Sequence, residues 1–264
     1  MPAIIRAEID TTGLATRADN PTNEYERKNF ITNDQISISK IYNGSTASPV
    51  FYKMGSDLKW AVVGTNAITL QAGATYQAKF PFDYSEIKQN QSTTENYLAS
   101  NYLLTKAISS RNGVLNFTGD GAFVHQNTKI TLAFTGHNNS ALSTDVSDFS
   151  NFTISASGLR TGKADTEEQI VFYRPDATAF TWCGIVFPKG GTDATTIALS
   201  LTYNEVTYKT TISCPMAAGT HYKYTLAIKD DYLVPTGTEI TGWTNETVHT
   251  GDFDIKKRFK LLAV

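Results

Sequence analysis

The chain has 264 residues, 41% hydrophobic and 18% charged, enough apolar material to bury a sizeable core and to exclude intrinsic disorder. Lys and Arg number 23 against 25 Asp and Glu, a formal net charge of -2, so no overall basic field draws the chain to nucleic acid or to an anionic membrane. No apolar run approaches the roughly 20 residues that span a bilayer, and the first residues lack the blocks of a signal peptide, so the expectation is a cytosolic protein or one whose leader has been removed.

Taken in chain order, the dominant period is two. Ile5, Ala7 and Ile9 alternate with Arg6, Glu8 and Asp10, the form of a strand with one wet face, and are followed by the turn-like Thr11-Thr-Gly13 and a polar stretch in which Thr16-Arg17-Ala18 offers a protease an accessible arginine. Alternation returns at Ile36-Ser-Ile38, before the turn step Asn43-Gly44. One segment breaks the rule: between Ser92 and Ala107 a capping box of Ser92 with Glu95 precedes Tyr97, Leu98 and Asn101, which predicts a short helix packed against a sheet. Asn112-Gly113 and Gly119-Asp-Gly121 then flank Val114-Leu-Asn-Phe117, and this loose stretch places a domain boundary between about 115 and 125. The expected domains are 1–118 and 119–264.

The second half repeats the alternation in Ile130-Thr-Leu-Ala-Phe134, Phe152-Thr-Ile154, Ile197 to Tyr203, Val206 to Ile212 and, most clearly, Tyr222-Lys-Tyr-Thr-Leu-Ala-Ile228, with Asn204-Glu205 as a hairpin turn. A strand from about Val124 to Phe134 is expected to open the second domain. At the end of the chain Phe253, Ile255, Phe259, Leu261 and Ala263 share one parity, interrupted by Lys257. The fold class is all-β, two antiparallel β-sandwich domains.

Catalytic chemistry leaves little trace. No phosphate loop, HExxH, GxSxG elbow or paired-cysteine zinc pattern occurs, so neither an enzyme nor a metal or cofactor site is expected. His125, His137, His221 and His249 lie at strand ends or in polar loops, where exposed or locally bonded rings are the expectation. Asp145 with Asp148, Glu167 with Glu168, and Asp230 with Asp231 fit no EF-hand spacing and read as solvated loop charge. Cys183 and Cys214 sit in strand-like runs, as small buried hydrophobes or as a cross-strand disulfide. Trp60 and Trp243 serve either to fill space between sheets or, if exposed, to stack on a sugar. The Asn-x-Ser/Thr sequons at Asn43, Asn116, Asn151 and Asn245 carry no weight in a chain this rich in Asn, Ser and Thr.

Four local patterns together resemble a known family. Phe123-Val-His125-Gln-Asn-Thr-Lys129-Ile130 is similar to the strand that begins the C-terminal domain of fimbrillin-like proteins, the subunits of type V pili of Bacteroidales. Tyr76-Gln-Ala-Lys-Phe-Pro81 and the later Leu103-Leu-Thr-Lys-Ala107 resemble that family's upstream segments, and Ala218-Gly219-Thr-His-Tyr222-Lys-Tyr224 with Ile240-Thr-Gly-Trp243 resembles its closing strand and terminal Ile-x-x-Trp. The matches run from about Phe30 to Trp243.

The resemblance implies two transthyretin-like β-sandwich domains and a non-enzymatic protein exported as a lipoprotein, its precursor anchored by lipid at the outer membrane. It implies partners that are other fimbrial subunits, in a homo- or hetero-polymer, and a host or bacterial surface ligand. In such proteins an arginine-specific protease removes an N-terminal strand and a neighbouring subunit's strand fills the groove. Here Arg17-Ala18 is the corresponding cleavage site, with Arg6-Ala7 a weaker one. Residues 1–17 become the removable strand, and the donor-strand candidates are Ile5, Ala7 and Ile9 at one end and Phe253, Ile255, Phe259 and Leu261 at the other. Both tails can equally be edge strands of their own domain. A secreted carbohydrate-binding module is the alternative function.

Overall fold

A computed structural model describes residues 3–10, 29–137, 148–176, 179–190, 194–230, 232–243 and 249–250. It is all-β apart from one short helix and a 3-10 turn at Gly119–Gly121. In the first half lie β1 (Ile4–Ala7), β2 (Gln35–Tyr42), β3 (Ser45–Thr46), β4 (Val50–Met54), β5 (Trp60–Val62), β6 (Thr75–Phe80), α1 (Thr94–Ala99), β7 (Leu103–Leu104), β8 (Ile108–Ser109), β9 (Val114–Phe117) and β10 (Val124–His125). The second half contains β11 (Thr128–His137), β12 (Thr153–Ser157), β13 (Glu167–Val171), β14 (Thr181–Val186), β15 (Thr195–Tyr203), β16 (Val206–Cys214), β17 (Thr220–Lys229), β18 (Tyr232–Gly242) and β19 (His249–Thr250).

These strands make four sheets. The first runs β10-β7-β6-β2-β4-β5, with β3 against β2 and β8 against β6, and the second is the pair β1-β9. Ile36 and Ile38 of β2, Tyr76 of β6, and Leu115 and Phe117 of β9 are fully buried in the core between them. The third sheet, β14-β11-β17-β18-β19, faces the fourth, β13-β12-β15-β16. Ile130, Leu132, Tyr222, Tyr224, Leu226 and Ile228 bury one face of the third against Ile154, Ile170, Leu199 and Ile212 of the fourth, each fully buried aliphatic side chain contributing about 2 kcal/mol of transfer free energy. The even parity read from Tyr222 to Ile228 is the buried one, with Lys223 and Lys229 exposed. Gly184 in β14 leaves room for the Phe172 ring, which a Cβ there would meet at 2.1 Å.

Pairing is antiparallel except for β1 with β9 and β11 with β17. Parallel neighbours need a long crossover: the fourth sheet lies in sequence between β11 and β17, and the strands of the first sheet other than β10 lie between β1 and β9. The expected strand from Val124 to Phe134 is two strands. β10 pairs with β7 in the first sheet, while β11 begins at Thr128 and pairs with β14 and β17 in the third. The chain changes sheets at Gln126-Asn127, where Gln126 N–H donates to Tyr102 O at 2.8 Å and the Asn127 amide donates to Ser100 O at 2.8 Å.

The helix begins one residue later than the capping pattern predicts: Thr93, not Ser92, is the N-cap, its hydroxyl accepting from Asn96 N–H at 3.3 Å. Tyr97 and Leu98 lie against Cys183, Ile185, Tyr173 and Trp243. Part of the third sheet is therefore buried on both faces. Just before the helix, residues 89–91 pair with β13: Gln91 N–H donates to Val171 O and Val171 N–H to Gln89 O, both at 2.9 Å. The Gln91 amide reaches across to β14, donating to Ile185 O and accepting from Ile185 N–H, each at 2.8 Å. One short segment thus pairs with an edge strand of each of two facing sheets, and Ile87 beside it is fully buried in their common core.

Candidate assembly site at the N-terminal strand

The two-stranded sheet gives the first core its outer wall. Ile4, Ile5, Arg6 and Ala7 stand opposite Val114, Leu115, Asn116 and Phe117 in parallel register. Main-chain bonds run along the pair from Ile4 N–H to Gly113 O at 3.0 Å, through Glu8 N–H to Phe117 O at 3.0 Å, to Asp10 N–H on Phe123 O at 2.8 Å. Phe123 N–H returns a bond to Glu8 O at 3.0 Å, and Ile9 bridges to Phe123. The Glu8 carboxylate accepts from Gly119 N–H at 2.6 Å, tying the strand to the 3-10 turn.

Alternation decides what this strand contributes. Ile5 and Ile9 are buried and Ala7 packs partly against the same core, while Ile4 is 59% exposed. The three apolar residues singled out at the N-terminus therefore share one inward stripe over Leu115, Phe117 and Phe123. Among the described residues β9 has no strand partner besides β1. Without β1, its main-chain edge and the tops of Leu115 and Phe117 would face water, a row of unmet donors and acceptors above an apolar trough. Arg17, Ala18, Phe253, Ile255, Phe259 and Leu261 lie outside the described residues.

Sequence reasoning missed the receiving side. Leu115 and Phe117 were visible only as an interruption in a glycine-rich stretch, although their own alternation marks a strand. Glu8 is exposed, as its place in the alternation implies, and its carboxylate also caps Gly119.

Several of the other candidates are structural groups, while Asp145, Asp231 and Asn245 and the side chains of His137 and His249 lie outside the described residues. Trp60 packs edge-on to Phe30 with centroids 5.2 Å apart, and Trp243 stacks on His125, so both are engaged within the protein. The two described histidine side chains are not simply exposed or locally bonded. His125 is buried, with its Nδ1 at 2.8 Å from the Asn101 amide oxygen, and His221 Nε2 lies 2.7 Å from the Thr131 hydroxyl. Burial depresses the His125 pKa to about 3. His221 is also held well below the free value, by burial and then by the Lys129 and Lys223 charges. Glu168 is held in place: Arg160 N–H and Thr161 N–H donate to its carboxylate at 2.6 and 3.1 Å. Cys183 and Cys214 are buried free thiols. Among the described residues no three His, Cys, Asp or Glu side chains gather to hold a metal, and no helix is long and apolar enough to cross a membrane.

A family model described as fimbrillin-like matches residues 16–243. Comparison with the curated proteins finds no match. Among solved structures, the chain is similar to a candidate cell adhesion protein from Bacteroides uniformis, with TM-score 0.62, 14% identity, and 92% of this chain and 98% of that one covered. It also resembles a fimbrial protein from Bacteroides ovatus, with TM-score 0.52 and 12% identity over 88% of this chain, which spans 49% of that protein. A third, a candidate cell adhesion protein from Parabacteroides distasonis, gives TM-score 0.51 at 11% identity, with 94% and 99% covered. These likenesses establish the shared fold. With two facing-sheet cores, a fimbrillin-like pattern in order along the sequence and a family match over most of its length, the chain belongs to the fimbrillin-like family.

Proposed function

We propose that the protein is a structural and adhesive subunit of a cell-surface fimbria, and that it assembles by proteolysis-triggered exchange of a strand. The observation that carries this reading is the β1-β9 pair: an amphipathic strand at the start of the chain covers the edge and apolar face of β9, and Arg17 follows it in a polar stretch of the sequence. While β1 is in place the groove is filled in cis and polymerisation is blocked. Cleavage after Arg17 makes it exchangeable, and a strand such as residues 253–263 of another subunit can pair along β9, main-chain bonds supplying affinity and alternate side chains supplying register. Fimbrial relatives support the same assignment. The reading includes export to the outer membrane surface, a lipid-anchored precursor, other fimbrial subunits as partners, and two sandwich domains, residues 1–118 and 119–264. It contains no catalytic step.

Limited trypsin digestion, with mass spectrometry to confirm the cut and size-exclusion chromatography to read the product, tests the mechanism. The parent chain should oligomerise or lose thermal stability once cut after Arg17, and Arg17→Ala should stay monomeric with an unchanged melting temperature. A cut parent that keeps both its mass in solution and its melting temperature shows that the strand is not exchanged.

A further inference from the structure

The fourth sheet turns a polar face outward. Its inward residues are Ile154, Ile170, Leu199 and Leu201, so the opposite parity presents small side chains: Ser155 lies opposite Gln169 and Ala198, and Ser200 opposite Lys209. Because Ser, Thr and Ala dominate the two central strands, the face is sunken, a groove of about 660 Å³, within the roughly 300–1,000 Å³ typical of small-ligand sites. At its rim stands Tyr232, the first residue of β18 in the facing sheet, 69% exposed. Among the described residues Lys209 is the one charged member of the lining.

The geometry points to a glycan carrying a carboxylated sugar as the ligand of this groove. A pyranose ring has an apolar C–H face that stacks on an exposed aromatic ring and an equatorial belt of hydroxyls that both donate and accept. Tyr232 supplies the platform, and Ser155, Ser200 and Gln169 supply matching donors and acceptors. Charge complementarity selects the acidic sugar: among the described residues the lining holds an ammonium group and no carboxylate. A peptide adding to the sheet would pair along the outer edge of β16, not over the central strands β12 and β15 that floor the groove, which are paired on both sides. This inference depends on neither strand exchange nor the cleavage at Arg17.

Isothermal titration of the uncut full chain with 3′-sialyllactose, lactose and tri-galacturonate tests it. Sialyllactose or tri-galacturonate should bind while lactose binds at least about tenfold more weakly, the two acidic probes distinguishing a sialic acid from a uronic acid source. Tyr232→Ala and Lys209→Gln should each weaken binding about tenfold, and both should keep the parent melting temperature because both side chains are exposed. Equal binding of lactose, no binding by any probe, or full binding by Tyr232→Ala overturns the proposal. So does a Tyr232→Ala chain that binds no less sugar but fails to oligomerise after trypsin, which would mark the face as a contact between copies.

Discussion

His125 and Trp243 lie ring on ring, centroids 4.1 Å apart and planes within 4°. One closes β10 in the first sheet and the other follows β18 in the third, so a single aromatic stack joins the segment after β18 to the middle of the chain. Asn101 fixes the imidazole from the other direction, and Trp243 N–H donates to Gly219 O at 2.6 Å.

Burial of His125 makes the fold acid-sensitive. His125 is neutral in the native protein because burial depresses its pKa to about 3, whereas the unfolded chain takes up a proton near pH 6.5. Its contribution is complete above pH 6.5 and is lost as pH falls from there toward 3, at up to roughly 1.4 kcal/mol per pH unit. Urea unfolding at pH 7.5 and pH 5 should show a larger loss for the parent than for His125→Gln, which keeps a donor toward Asn101 and cannot titrate. Equal losses would place the acid sensitivity elsewhere.

Gln91→Ala should lower stability by about 3 kcal/mol, because it leaves the Ile185 N–H and C=O buried and unpartnered. Gln91→Met retains the volume and loses both bonds, so chemical denaturation should find it nearly as unstable. A Met variant as stable as the parent would mean that the side chain only fills space.

The turn between β15 and β16 offers a gain. Asn204 and Glu205 both have positive φ, 48° and 64°, a geometry that suits Asn followed by Gly and strains a glutamate. Glu205→Gly should raise stability by about 0.5–1 kcal/mol, read as a higher urea midpoint with an unchanged slope.

Leu226 is fully buried between the third and fourth sheets. Leu226→Asp should yield no soluble folded protein, since an unpaired buried charge costs several kcal/mol, about the stability of a whole domain. Normal expression with an unchanged melting temperature would show the register of β17 to be wrong.

Strand positions and buried parity were legible because a half-wet strand writes its orientation into every second residue, as Tyr222 to Ile228 do. Partners were not. Alternation in Ile5, Ala7 and Ile9 announces a strand but is silent on its pairing with β9 or its parallel direction, both set by contacts far away in sequence. The split at Gln126-Asn127 was hidden for a different reason: His125, Asn127, Lys129 and Thr131 are polar and yet buried, since the helix and its flanking loops cover the second face of the sheet there. Hydropathy reads such residues as solvent-facing. His125 and Trp243 each stood out as part of a motif, but nothing in either motif says that one ring rests on the other.

The β1-β9 ladder also has a mechanical direction. Its bonds are spaced along the strand from Gly113 to Phe123, so tension along the strand axis strains all of them together, while a pull perpendicular to the sheet opens them one at a time. Any strand seated on β9 and drawn lengthwise is loaded in shear, and its release is then governed by a rate rather than by the equilibrium affinity of the groove. A fibre joined through such seats would resist stretching far better than peeling, without a covalent bond between its units.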